Sequence, residues 1–222
     1  MEILEIKVTR GPNYWSGYRK NLIIMKLDIG DWEERPTNMI DGFGESLERL
    51  LPSLKSHTCS VGVEGGFLMR LKEGTWLGHV IEHVALELQS LAGMDCCYGR
   101  TRSTNVKGIY HVLFSYVTEK AGIYAAKAAV SLVECLLSGL AYNLEDDIKE
   151  LQRLYNKEKL GPTTLSIVKE AERRNIPYTR LNNNSLIMLG QGCNQKTIGA
   201  SVASTTSSLA VELASDKNAT RN

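Results

Sequence analysis

Residues 75–92 constrain this chain most, because their apolar members recur at the spacing of a single helical face. On a wheel of about 100° per residue with His79 at zero, Leu77, Ile81, Val84, Leu88 and Leu91 gather between about 120° and 200°. A stripe of that width has to be buried against a sheet or another helix, so the chain must build a layered domain around it. His79, Glu82 and His83 fall near about 0°, 300° and 40° and form a separate polar face, with Glu87 following at about 80°.

The flanking sequence supplies the partner layers. Residues 3–8 and 21–29 are β-rich runs, separated by the turn formers Arg10-Gly11-Pro12-Asn13 and a basic, aromatic stretch through Tyr14, Trp15, Tyr18, Arg19 and Lys20. Residues 43–54 carry a helical stripe of Leu47, Leu50, Leu51 and Leu54, with Pro52 near its end. Gly65-Gly66 suggests a hairpin over residues 60–72. A Gly/Cys/Arg loop is expected over 93–105, a strong strand over 108–117, and an Ala-rich helix over 119–137 in which Gly122 is the weak point. Asn143 can cap a charged helix running to residue 157. Gly161-Pro162 then breaks the pattern, and a helix (165–174), short strands (176–181, 185–190, 197–202) and a last helix (207–214) follow. The expectation is an α+β domain over residues 1–160 and an incomplete second segment over 161–222.

Composition excludes several classes. With 43% hydrophobic and 23% charged residues in 222, the chain has the balance of an ordinary globular protein. A net charge of +1, from 26 basic and 25 acidic residues, argues against nucleic-acid or membrane partners, and no apolar run reaches the ~20 residues of a membrane span. Five scattered cysteines with no secretory leader point to a reducing, cytoplasmic setting, and the adjacent Cys96-Cys97 pair reads as packing.

Two imidazoles four residues apart on a helix can hold one Zn2+, and a carboxylate beside them can serve as general base. His79-x-x-Glu82-His83 has this order, the reverse of the commoner His-Glu-x-x-His. The alternative is a polar helix face that simply meets solvent. Gly78 beside the histidines would leave room for a substrate backbone. Glu119, opening the next long helix, is the first choice for a third metal ligand and Glu134 the second, while Glu87 suits a supporting role behind a ligand. Arg100 and Arg102 can grip a substrate carboxylate. His57 and Cys59 are spaced to permit metal contact but have no helical partner, and His111 reads as a packed strand residue.

Several blocks resemble the cyanophycin synthetase family: Arg10-Gly11-Pro12-Asn13-Tyr14-Trp15-Ser16, Gly65-Gly66-Phe67-Leu68-x-Arg70, Gly78 through Leu88, and Tyr98-Gly99-Arg100-Thr101-Arg102. The runs Leu189 through Lys196 and Val211 through Lys217 are similar to that family's entry into its ATP-grasp domain. The resemblance implies an N-terminal domain followed by an incomplete α/β pre-grasp segment, from a protein that uses ATP and Mg2+ to polymerise Asp and Arg into multi-L-arginyl-poly-L-aspartate. ATP and Mg2+ would act only in the full-length protein, which would form a homo-oligomer. For this part, the resemblance implies binding of the Asp/Arg polymer and metallopeptidase-like trimming to short primers, with Zn2+ on His79 and His83 and base chemistry on Glu82. A non-catalytic polymer-binding or oligomerisation module is the alternative. Val61-Gly62-Val63-Glu64 departs from the His-bearing loop expected of the family.

Overall fold

A computed structural model describes residues 1–11, 13–16, 21–182, 184–200 and 202–215. Pro12, Tyr18, Arg19 and Lys20 of the expected turn and basic stretch lie outside the described residues, as do Ser201 and Asp216-Lys217. The chain divides into two compact units, one of residues 1–9 and 20–157 and one of residues 10–19 and 158–222.

In the first unit, β1 (Glu2–Thr9), β2 (Leu22–Asp28), β3 (Gly99–Ser103) and β4 (Ile109–Ser115) form an antiparallel sheet in the order β1-β2-β4-β3. Its register places Ile23 opposite Phe114, Met25 opposite Val112 and Leu27 opposite Tyr110, so alternate residues of two central strands share one apolar face. Against that face pack α3 (Leu77–Leu91) and α4 (Glu119–Leu137), and the Ala-rich surface of α4 (Ala121, Ala125, Ala128, Ala129) is buried in the same core. Beyond α4, α5 (Leu144–Glu158) is tied back by Asp147, which accepts hydrogen bonds from Tyr124 (2.7 Å) and Tyr142.

Two segments depart from expectation. The stripe over 43–54 is helical only as α1 (Phe43–Leu50), and Pro52, which has no N–H to continue that helix, opens a separate 3-10 turn (Pro52–Ser56). Over 60–72 there is no hairpin. A 3-10 turn (Cys59–Val61) leads to Gly65, whose φ of +77° makes it the left-handed residue before α2 (Gly66–Glu73). Phe67, Leu68 and Leu71 are buried together while Met69 is exposed, a helical and not an alternating pattern. The double glycine reverses the chain into a helix, which a two-strand reading of the same residues missed.

The second unit holds α6 (Pro162–Arg173), an antiparallel sheet in the order β5 (Tyr178–Arg180), β6 (Leu186–Leu189), β7 (Lys196–Gly199), β8 (Val202–Ala203), and α7 (Ser208–Ser215). Its core is small, with Val168, Ile187 and Ile198 at the centre. The α+β class holds, since helices and small antiparallel sheets make up the chain. Among the described residues no helix is long and apolar enough to cross a membrane.

Candidate metal centre

Helix α3 is covered almost all round. Its apolar stripe meets the sheet and α4, but Glu82 (5% exposed) and His83 (6% exposed) are buried too, which rules out a solvated polar face. Polar groups buried to this degree need partners. Those partners come from segments distant in sequence.

Cys59, in the 3-10 turn before α2, has φ +52°, a left-handed conformation that costs a non-glycine residue about 1–3 kcal/mol and marks a position held by its surroundings. Its Sγ lies 3.2 Å from His79 Nε2, and the other nitrogen of that ring, Nδ1, is 3.0 Å from Thr75 Oγ1. Ligand atoms of Cys59, His79 and His83 all lie within 4.8 Å of one another, the one such set of three among the described residues. Around a tetrahedral zinc with bonds of about 2.0–2.3 Å, ligand atoms stand roughly 3.3–3.7 Å apart, so the widest pair of this trio would close by no more than about 1–1.5 Å. A thiol with two imidazoles suits zinc, and three protein ligands is the number used by catalytic sites.

Electrostatics agree with the donor set. Burial, then the nearby charge of Arg70, lowers His79 to about 4. Burial, with His79 and His57 adding to it, lowers His83 to about 2. Both rings are therefore neutral at pH 7, the state in which they can donate a lone pair to a metal. Phe67 stacks on His83 at 4.1 Å between centroids and 26° between planes, and meets His79 edge-on at 5.8 Å.

Glu82 borders the same cleft of about 1000 Å3, together with His79, His83, Cys59 and Arg70. Burial raises its carboxyl to about 7, against a hydrogen bond from Thr101 Oγ1 to Oε2 (2.6 Å) that lowers it. A carboxyl poised near neutrality can both take and return a proton. Oε1 faces Gly99, where an added Cβ would come within 2.4 Å of it, so only glycine leaves that oxygen its place. Gly78, by contrast, offers no room for a substrate: it is buried, and a Cβ there would touch Thr101 and Tyr110 at 3.4 Å. The space beside Gly78 is filled by the protein's own β3 and β4.

The expected ligand Glu119 is not part of the trio. Ser115, four residues before it, accepts a hydrogen bond from Gln89 at the far end of α3 (3.1 Å), which puts Glu119 away from His79. Glu134 is engaged by the Met1 amino group at 2.6 Å. Cys59, and not Glu119, lies with His79 and His83. Arg100 and Arg102 lie on β3, not in a loop; this short polar edge strand has no apolar alternation for a sequence reading to detect. Arg100 borders the cleft and Arg102 is not among its lining residues. Arg70 does line it, and its buried Nε has no hydrogen-bond partner among the described residues. Cys96 is packed: its Sγ donates to Gln89 Oε1 (3.5 Å), and burial pushes the thiol up to about 12.

Comparison with known proteins agrees with this architecture. Residues 24–138, more than half of the chain, match the model of the cyanophycin synthase-like N-terminal domain. Over 224 aligned residues the chain is 51% identical to the cyanophycin synthetase of Trichormus variabilis, covering 100% of this chain and 25% of that protein. The cyanophycin synthetases of Synechocystis sp. (50%) and Geminocystis herdmanii (48%) are matched over 100% of this chain and 26% of theirs. The chain thus spans about a quarter of the length of the curated relatives it matches. On the family match over residues 24–138, the chain belongs to the cyanophycin synthase-like N-terminal domain family.

Proposed function

We propose that this chain is the polymer-handling part of a cytoplasmic cyanophycin synthetase, and that it trims the Asp/Arg polymer to short primers at a zinc site built from Cys59, His79 and His83. ATP- and Mg2+-dependent polymerisation, and homo-oligomer assembly, would belong to the full-length protein. The observation that carries the reading is one cleft in which Cys59, His79 and His83 and a carboxyl raised to about 7 lie together.

Zinc, when bound, supplies Lewis-acid polarisation of an amide carbonyl and lowers the pKa of water. The chain's own residues do the rest. Thr101 anchors Glu82 by Oε2, leaving Oε1 to accept a proton from water and return it to the departing amine. The neutral imidazoles keep their lone pairs available because burial disfavours their cations. Arg70 and Arg100 give the cleft positive charge suited to a carboxylate of the polymer, and Glu82 is the one acidic group among its lining residues.

The test is to incubate the chain with cyanophycin, with and without Zn2+, beside Glu82→Gln. Wild type with Zn2+ should release short oligomers, and the variant should release them about 100-fold or more slowly while still binding polymer. If both bind polymer and neither releases oligomers, hydrolysis is wrong and the non-catalytic module stands. Binding by such a module through surface charge would weaken at high salt.

A further inference from the structure

Behind His83 runs a chain of polar contacts that neither hydrolysis nor polymer binding explains by itself. Glu87 accepts a hydrogen bond from the Ser53 hydroxyl on Oε1, and its Oε2 lies 2.7 Å from His57 Nε2. The other nitrogen of His57, Nδ1, is 2.8 Å from Nδ1 of His83. An ionised carboxylate can only accept, so the proton between Glu87 and His57 sits on His57 Nε2. A neutral imidazole has one N–H, which leaves His57 Nδ1 as an acceptor. With His57 in its neutral form, the proton between the two rings belongs to His83 Nδ1, and the lone pair of His83 is at Nε2.

We propose that Ser53, Glu87 and His57 form a relay that fixes the tautomer of His83 and so presents its Nε2 lone pair to a metal; this rests on the metal reading above. The relay answers a specific problem. The stacked ring of Phe67 sets the plane of His83 but says nothing about which nitrogen carries the proton. A hydrogen-bond acceptor behind the ring settles that, and a carboxylate behind the acceptor raises the ligand's basicity. His79 has the matching arrangement in shorter form, with Thr75 Oγ1 at Nδ1 and Cys59 at Nε2. His57 and Glu87 are thus positioning residues, acting through His83.

The experiment measures Zn2+ affinity of the chelator-stripped 222-residue chain by competition with a chromophoric chelator, with thermal unfolding of each metal-free form recorded in parallel. Wild type should bind one Zn2+, and His83→Ala should lose that binding. His57→Leu should weaken affinity about 10- to 100-fold. His57→Gln, whose side-chain carbonyl can accept from His83 Nδ1, should stay within about threefold of wild type. Glu87→Gln probes the other end of the relay and should lower affinity by up to about tenfold. If wild type takes no zinc, the metal reading falls. If wild type takes zinc and His57→Leu and Glu87→Gln match it, the relay is overturned and the metal site survives. Loss in His57→Gln as complete as in His83→Ala would make His57 a ligand, which also overturns the relay.

Discussion

Glu82 and Glu87 stand on one helix, a turn and a half apart, and are equally buried at 5% and 4% exposed, yet their carboxyls shift in opposite directions. Around Glu82, burial dominates: the single hydrogen bond from Thr101 does not offset it, and the group rises to about 7. Around Glu87, burial pushes the same way, but hydrogen bonds from His57 and Ser53 outweigh it and hold the carboxyl below its ordinary value. The contrast separates two jobs. A carboxylate with few donors is free to exchange a proton with a substrate, and one with several is held as a fixed charge.

The largest effect should come from the pH dependence of Glu82→Gln. A carboxyl raised from 4.5 to about 7 contributes stability that is present below pH 4.5 and is lost as pH rises through about 7. In chelator-treated protein, Glu82→Gln should therefore gain on wild type by roughly 3 kcal/mol across that window. Denaturant unfolding at pH 4.5 and pH 8 reads the difference. A gap that does not change with pH would mean that the two carboxyls do not differ as described.

Glu87→Leu should cost about 1–3 kcal/mol at pH 7, because His57 Nε2–H and Ser53 lose a charged acceptor in a buried site. Here the sign is reversed. Stability from a lowered carboxyl is present above its ordinary value and is lost as pH falls through the lowered one, so wild type and variant should converge in acid. Convergence toward alkaline pH would refute the assignment of Glu87 as a fixed charge.

The smallest effect belongs to Thr101→Val. Removing the 2.6 Å hydrogen bond takes away the one contact that lowers Glu82, and its titration should move up by less than about one pH unit, read by carboxyl 13C NMR. A downward move would show that Thr101 does not favour the ionised form.

The helical side of the site was legible in sequence, since positions three and four apart on a helix must share a face. The packing side was legible less often. The stripe of α3, the Ala surface of α4 and the β2 and β4 strands each repeat a local period that burial enforces. α2 and β3 carry weaker signals. One is a short helix introduced by a double glycine, and the other an Arg-Thr-Arg strand with nothing apolar to alternate.

What the sequence by itself determined is that His79, Glu82 and His83 project together from one helix, because the turn of the backbone fixes their angles whatever lies around them. Tertiary structure decided the rest: that this face is buried, that Cys59 and not Glu119 stands against His79, and that His57 links Glu87 to His83. These contacts join residues 20 to 30 positions apart through a strained 3-10 turn and a helix that begins at Gly66. No local period encodes such a meeting. It follows from how α2 packs beside α3, while the hydrogen bonds from His57 and Ser53 separate Glu87 from Glu82.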